Sequence, residues 1–336
     1  MATIVARQGL GLNEALREAA RVSTELRRCA ALPRGDAEYR YSQYVSLVHA
    51  LLAALRRCEM TGATAEAIRA ASADARQVHR LSPLCTRLQD WPRGYPGDFE
   101  TVEYLCEGMN HAPADSFGHA IEAYALRCAA AQQHRNKVEE QAAVVARRLA
   151  LTTGPVRVLS IGCGGSRDLL ALRRHCPDPR ATERLSVTLN DSDAGALALS
   201  ERRLREMGAA TRSLAMNVLA AMRMLVRDSQ CFDLVLAGGL FDYLDDRTAS
   251  FVIRTCRRSL LGDGGELFFT NIATGNPYRP WMDHVASWGL IHRSEDDILA
   301  LAPEGEGSAT SVRRDVSGLA LLATVNVGWA RGLRTA

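Results

Sequence analysis

Two hydrophobic patterns divide the chain. In roughly the first 150 residues, apolar side chains recur at helical spacing, and Tyr41, Val45, Val48, Leu52 and Leu55 form one such stripe. A stripe of this kind faces a core or a partner, and we favour a core. The predicted helices, separated by breaks at Pro33–Gly35 and Thr61–Gly62, are Asn13–Ala30, Asp36–Met60, Thr64–Arg80 and a longer Ser116–Leu151.

The second half of the chain contains short apolar runs instead. Each run ends in glycine or polar residues, and helical stretches separate one run from the next. This alternation predicts parallel βαβ units, in which ligands bind beyond the carboxyl ends of the strands. The predicted strands are Val156–Ile161, Leu185–Leu189, Leu214–Val218, Phe232–Ala237, Glu266–Thr270 and Gly318–Val327.

The first of these strands runs into a glycine-rich turn, Gly162–Ser166. Glycine lets a ligand approach bare backbone, and the N–H groups of the following helix point toward that ligand. A dinucleotide fingerprint would need a third glycine at position 167, which is Arg167. The shorter spacing of Gly162 and Gly164 fits S-adenosylmethionine (SAM), which has no pyrophosphate. A plain tight turn between strand and helix is the alternative.

Polar side chains follow the next three strands. Asp191 and Ser192 come after the second strand, where an acidic residue can accept hydrogen bonds from both ribose hydroxyls. Asn217 ends the third strand, and the fourth continues into a loop with Asp242 and Tyr243. Asp245 and Asp246, which follow, are expected to cap the next helix. These positions predict a cofactor site and an acceptor site at one edge of the sheet.

The order of these segments resembles the class I SAM-dependent methyltransferases over roughly Val138–Val327. The resemblance implies a Rossmann-like, seven-stranded α/β sheet, and we expect the helical N-terminal region to form an all-helical lid domain over the cofactor. It also implies that the glycine turn faces the methionine part of SAM, that Asp191 binds the ribose and that Asn217 with Val218 contacts the adenine. Two positions depart from the usual pattern: Ser160 stands where an acid often occurs, and Ser166 replaces a common third glycine.

A narrower resemblance rests on motifs outside the cofactor core. Together they are similar to bacterial methyltransferases labelled as 3-hydroxypalmitic acid methyl ester biosynthesis proteins. The motifs are Pro92–Asp98, Gln133–Lys137, Gly239–Leu244, Asn276–Arg279 and Trp288–Arg293.

Three residues in these motifs have two interpretations. Tyr95 and Asp98 reach the SAM or acceptor site on the interpretation that the resemblance favours. Otherwise Tyr95 packs and Asp98 caps the helix that begins at Phe99. Arg135 pairs with the SAM carboxylate or is a solvated helix residue. The expected SAM-binding residues are Gly162, Cys163, Gly164, Asp191, Ser192, Asn217, Val218, Gly238, Arg135 and Tyr95.

Composition narrows the function class. The 336 residues are 47% apolar, enough for two domains, and we expect a helical domain over 1–150, with lid and acceptor site, and a SAM-binding domain over 151–336. The chain has no long apolar run and no signal-peptide pattern at Met1–Leu10, which predicts a cytoplasmic protein that does not bind membranes. The net charge of +3 argues against nucleic-acid binding, and the nine cysteines lack metal spacing.

The chemistry that these features predict is methyl transfer to a small molecule. Such a reaction requires acceptor, methyl group and sulfur in line, and Asp242, Tyr243 and Asp98 are the expected catalytic residues. Because these candidates are mainly acidic, we favour N-methylation of an amine, guanidine or amino-acid-like metabolite. A carboxyl O-methyltransferase that makes a fatty acid methyl ester is the alternative, and a non-catalytic SAM-binding protein is the remote one. The protein is a candidate homodimer.

Overall fold

The computed structural model describes residues 2–32, 35–176, 178–303, 305 and 307–328. The chain divides into two compact units. The helical unit comprises Met1–Gln132 and Asn276–Gly289, and the sheet unit comprises Gln133–Gly275 and Leu290–Ala336. The division falls at 132/133, earlier than the expected boundary near 150. The reason is that Val144, Val145 and Leu149 pack in the same apolar cluster as strand residues of the sheet unit.

The helical unit contains short and long helices with capped ends. Its helices are α1 (Ala2–Ala31), α2 (Ala37–Met60), α3 (Ala65–Ala71), α4 (Ala73–His79), α5 (Pro83–Asp90), α6 (Phe99–Glu107) and α7 (Phe117–Arg127). The later segment adds α13 (Arg279–His284). The side chains of Asp36, Thr64, Ser82, Asp98 and Ser116 each cap the helix that comes after them. The predicted helix Thr64–Arg80 is interrupted at Ser72, which ends α3 and precedes α4.

The helix predicted as Ser116–Leu151 is also two helices, which corrects the sequence analysis. Cys128 has an extended conformation (φ −63°, ψ 159°), and it ends α7 before α8 (Ala129–Leu151) begins. The chain has neither glycine nor proline here, so the local sequence gave no signal for the break.

The sheet unit contains seven strands, in the order β3-β2-β1-β4-β5-β7-β6. Strands β1 to β5 are parallel, and β7 pairs antiparallel with both β5 and β6. The strands are β1 (Val156–Ile161), β2 (Leu185–Asp191), β3 (Ala210–Ala215), β4 (Phe232–Ala237), β5 (Leu261–Ile272), β6 (Ser308–Arg314) and β7 (Ala320–Val327). This is the predicted seven-stranded class I methyltransferase sheet, so the α/β fold class is confirmed.

Helices cover both faces of the sheet, because successive side chains of a strand point to opposite faces. Leu159 and Ile161 of β1 belong to one apolar cluster, and Val158 belongs to the other. The first cluster includes residues of α11, α12 and α14, and the second includes residues of α8, α9 and α10. These helices are α9 (Arg167–Ala171), α10 (Ala194–Glu206), α11 (Val218–Arg227), α12 (Asp246–Thr255) and α14 (Glu295–Leu301).

The third strand lies earlier in the chain than predicted. The prediction was Leu214–Val218, whereas β3 ends at Ala215. Asn217 instead caps α11, because its side chain accepts a hydrogen bond from the Ala220 N–H at 2.9 Å. Strand β6 was not located from the sequence at all.

Candidate active site

The glycine turn after β1 has the backbone conformation that its sequence predicted. Gly162 and Gly164 have φ values of +58° and +52°, in the left-handed region that favours glycine. A Cβ atom on Gly162 would lie 3.2 Å from the Cβ of Leu240, in the loop after β4. Ser166, at φ +51°, also adopts this conformation, so the turn contains a strained non-glycine residue.

Hydrogen bonds fix the turn to the strands and helices beside it. The Cys163 N–H donates to the Asn190 carbonyl at 3.1 Å. The Ser200 hydroxyl of α10 donates to the Gly164 carbonyl at 2.7 Å, and the Ser166 hydroxyl bonds that of Ser200 at 2.9 Å. These hydrogen bonds hold the turn in one conformation. The turn is therefore formed before a ligand binds to its remaining N–H groups.

Asp191, the last residue of β2, lies directly against this turn. Its Oδ2 accepts the Gly164 N–H at 2.9 Å, and its Oδ1 accepts the Asp193 N–H at 2.9 Å. A carboxylate has about four acceptor positions. With two used by backbone N–H groups, capacity remains for two hydroxyl donors, and the carboxylate cannot rotate away.

The other expected cofactor residues lie at neighbouring strand ends. Ser192 follows Asp191 on the exposed side of the turn, and Val218 is the first residue of α11. The side-chain oxygen of Asn217 is occupied by its capping bond. Burial raises the pKa of the Cys163 thiol, so this side chain packs in its protonated form. The contacts of these residues with SAM remain predictions.

Asp168 was not singled out from the sequence. It lies in the first turn of α9 and is buried, and burial raises the pKa of its carboxyl group to about 6. Its charge also acts on the neighbouring Cys163 thiol. Its only signal in the sequence is its position, six residues after Gly162.

Polar side chains on different faces of helix α8 contact different parts of the sheet unit. The helix runs antiparallel to the strands, since Arg147 contacts Glu266, which pairs with Leu234 near the start of β4, whereas Gln141 packs on Gly238, just beyond the end of β4. A Cβ atom on Gly238 would lie 2.3 Å from the Gln141 amide nitrogen, so Gly238 is required for this close approach. The amino-terminal part of α8 therefore extends past the carboxyl ends of the strands.

The face of α8 that carries Glu139 points toward α9. Glu139 forms an ion pair with Arg174 and a hydrogen bond with His175, and both residues follow α9. Arg135 precedes Glu139 by four residues on the same face. This places Arg135 about 6 Å farther toward the glycine turn. The placement agrees with the expected pairing to the SAM carboxylate, which remains a prediction.

The face that carries Lys137 points to the loop after β4. Lys137 Nζ lies 2.8 Å from Asp242 Oδ2, and both side chains are only 3% exposed. The other oxygen of Asp242 accepts the Ile272 N–H at 2.6 Å. Asp242 is thus held in a buried ion pair, a contact that the sequence analysis did not foresee.

A buried arginine fixes the same loop from the opposite side. The guanidinium of Arg293 donates to the carbonyls of Phe241 (2.8 Å) and Leu244 (2.5 Å) and to the carboxylate of Asp246. Asp245 caps α12, as predicted. Tyr243 is 40% exposed on this rigid loop. The structure thus presents Tyr243 on a fixed support beyond β4, whereas Asp242 faces inward.

In the helical unit, Asp98 has the capping role that was the alternative interpretation. Its Oδ1 accepts the Thr101 N–H at 2.9 Å at the start of α6 and pairs with Arg87 at 2.7 Å. Arg87 also pairs with Glu100, which in turn pairs with Arg93. Tyr95 is half-buried in the preceding loop. The predicted roles of Asp98 and Tyr95 at the SAM or acceptor site remain predictions.

Two properties can be stated for the described part of the chain. Across residues 2–32, 35–176, 178–303, 305 and 307–328, each helix is too short or too polar to cross a bilayer. The same residues contain no cluster of three His, Cys, Asp or Glu side chains that could hold a metal ion.

Comparison with solved structures supports the fold. No protein-family model and no curated protein sequence matches this chain. A possible exported protein from Bordetella parapertussis is similar in structure, with a TM-score of 0.56 and 14% identity, over 95% of this chain and 96% of that one. At this identity the similarity shows a shared fold over both units and nothing about activity.

Two methyltransferases are more distantly similar. Magnesium protoporphyrin IX methyltransferase from Synechocystis PCC 6803 has a TM-score of 0.44 and 11% identity, over 73% of this chain and 97% of that one. An O-methyltransferase family protein from Burkholderia thailandensis has a TM-score of 0.43 and 16% identity, over 61% and 62%. Both scores are below 0.5, so neither similarity carries an argument about substrate or mechanism.

Proposed function

We propose that this protein is a SAM-dependent methyltransferase that acts on a small polar metabolite. The observation that carries the proposal is the contact between Asp191 and Gly164 at the carboxyl ends of β2 and β1. This contact brings the glycine backbone of the turn next to a fixed carboxylate, and two hydrogen-bond acceptor positions of that carboxylate remain available. A nucleoside with two ribose hydroxyls fits this donor and acceptor set.

The residues of the sheet unit supply the other contacts that SAM requires. Arg135, on the face of α8 that points toward the glycine turn, would pair with the carboxylate of the methionine part. Asp168 would accept hydrogen bonds from the ammonium group of the methionine part. Ser160 stands where an acid often occurs and has no charge with which to fill this role. Asn217 and Val218 would border the adenine at the end of β3. These four assignments are part of the proposal.

The reaction is a displacement at carbon. When bound, SAM supplies a sulfonium methyl group, and its transfer to an acceptor nitrogen breaks the C–S bond with the electron pair left on sulfur, while one proton passes from nitrogen to water. Tyr243, exposed on the loop that Arg293 fixes, would orient the acceptor. Asp242 would fix this loop through its ion pair with Lys137 rather than take a proton from the acceptor, because its side chain is buried and faces inward.

The acidic side chains that favoured a cationic acceptor are already paired in the structure. Asp98, Glu100 and Asp242 all have cationic partners. Two arginines of the motifs that could neutralise a carboxylate acceptor are similarly engaged, since Arg93 pairs with Glu100 and Arg279 pairs with Asp283. We retain N-methylation of an amine, guanidine or amino-acid-like metabolite as the proposal and carboxyl O-methylation as the second candidate.

The test is transfer of label from methyl-labelled SAM to two acceptor pools. One pool contains amino acids, guanidines and amines, and the other contains 3-hydroxy fatty acids. The proposal predicts label in a base-stable product from the first pool. Label in a base-labile ester from the second pool would establish the other candidate. Tight SAM binding without transfer to either pool would contradict the proposed acceptor class.

A further inference from the structure

Gln133 is a fully buried amide that lacks hydrogen bonds within the described residues. Both its Oε1 and its Nε2 are buried, and neither atom has a partner. By contrast, the buried amide of Gln141 donates to the Lys137 carbonyl at 3.1 Å. Buried polar groups in folded proteins are nearly always paired, and leaving one unpaired is destabilising. A side chain with both polar ends unmatched therefore points to a ligand.

Helix geometry places Gln133 beyond the loop that follows β4. Gln133, Lys137 and Gln141 are spaced four residues apart and share one face of α8. Gln141 packs on Gly238, and Lys137 pairs with Asp242 farther along the loop. One more turn in the same direction is about 6 Å, which brings Gln133 past Asp242 on the β4 side of the sheet.

This position differs from the expected cofactor position. Asp191 and the glycine turn lie at β1 and β2, and Arg135 faces them from another side of α8. In the proposed function, the acceptor binds beside Tyr243, which is exposed beyond β4. The face that carries Gln133 lies on this side of the helix.

We propose that the Gln133 amide binds the methyl acceptor and selects one that carries both an N–H donor and a carbonyl or carboxylate acceptor. The amide offers two N–H donors and one carbonyl oxygen. A carboxylate alone has no donor for Oε1, and a guanidinium alone has no acceptor for Nε2, whereas an amino-acid-like compound, which carries both an N–H donor and a carboxylate, satisfies both ends. This inference rests on the proposed function and names the group that gives it specificity.

The first test needs no acceptor and measures thermal stability. Gln133→Met has a similar unbranched shape and removes the unpaired amide, so the melting temperature of the protein without ligand should rise by roughly 2–4 °C. Gln141→Met is the matched control on the same face, and it should lower the melting temperature because it removes a satisfied amide. A lower melting temperature for Gln133→Met would overturn the proposal, since it would mean that the amide is structural.

The second test measures binding and turnover with the two acceptor pools. Gln133→Met should keep its affinity for S-adenosylhomocysteine within about twofold, while KM for the methylated acceptor rises at least about 10-fold and kcat changes less. An equal loss of S-adenosylhomocysteine affinity would assign Gln133 to the cofactor and overturn the proposal. An unchanged KM would overturn it as well.

These outcomes separate the inference from the proposed function. If neither pool is methylated, the proposed acceptor class fails. In that case, the pools are tested by thermal shift in the presence of S-adenosylhomocysteine. Stabilisation of the wild type, but not of Gln133→Met, would support the role of Gln133. Equal responses of the two proteins would overturn it.

Discussion

At the scale of single residues, two backbone N–H groups hold the carboxylate of Asp191 at the ligand edge of the sheet. One of them belongs to Gly164, 27 residues earlier, and the contact depends on the left-handed turn.

Asp191→Asn should weaken SAM binding about 10- to 100-fold, because an amide accepts fewer hydrogen bonds than the carboxylate and lacks its charge. Calorimetry with SAM measures the effect. Asp193→Asn is the matched control two residues away. Its side chain caps α10, a role that asparagine also fills. Equal losses in the two variants would mean that the turn, rather than the ribose contact, is affected.

Asp168 leads to a pH-dependent prediction. Its pKa is raised to about 6, so the folded chain binds this proton more tightly than the unfolded chain does. Stability should therefore fall as the pH rises from about 4 through about 6. Asp168→Asn should remove this loss and raise the free energy of unfolding at pH 7.5 by up to about 3 kcal/mol, with little change at pH 4.

Chemical denaturation at the two pH values checks the Asp168 prediction. The exposed Asp263→Asn serves as the control, and it should have no comparable effect at either pH. A gain for Asp168→Asn that is the same at pH 4 and pH 7.5 would contradict the assignment to this carboxyl group.

At the scale of elements, α8 organises the candidate site. The sequence predicted a helix through this region, because local propensity and spacing are enough for that. It did not predict the break at Cys128 or the three faces of the helix. These depend on partners far away in the sequence, and Lys137 and Asp242 are 105 residues apart. Periodicity identifies a helix and its apolar side, but not which loop a buried lysine meets.

Lys137→Met should lower the free energy of unfolding by about 3–5 kcal/mol, because Asp242 is left buried without its cation. The double variant Lys137→Met/Asp242→Asn should recover part of this loss. Arg313→Met, which breaks a more exposed pair with Glu140 of the same helix, should change stability by less than about 1 kcal/mol. Chemical denaturation of the four proteins tests the prediction, and similar losses for Lys137→Met and Arg313→Met would contradict it.

At the scale of the whole molecule, the helical unit is discontinuous in sequence. Asn276–Gly289 belongs to it, although this segment follows β5 of the sheet unit. Its Trp281 and His284 contact His79 and Glu59, respectively. Composition and periodicity describe each segment separately, so they predicted two domains divided once, near 150. The return of a later segment depends on tertiary contacts that leave no local pattern.

These contacts make the helical unit sensitive to acid. His79 Nδ1 lies 2.6 Å from the Ala75 carbonyl and donates to it, so Nε2 accepts from the Tyr44 hydroxyl (2.9 Å) and from Trp281 Nε1 (3.0 Å). This neutral ring has no further acceptor position, and burial lowers its pKa to about 4. Burial also lowers the pKa of His134 in the sheet unit.

A histidine that binds its proton less tightly when folded withdraws stability as the pH falls. The loss begins near the unfolded pKa of about 6.5 and continues to about 4 for His79, reaching about 2 kcal/mol at pH 5. His79 should therefore lower the free energy of unfolding between pH 7.5 and pH 5 by about this amount, and Asp168, which acts in the opposite direction, offsets part of the loss. His79→Gln should reduce the drop, whereas the exposed His111→Gln should not. Chemical denaturation at both pH values decides the matter, because an equal drop in the wild type and in His79→Gln would mean that His79 is not the group that titrates.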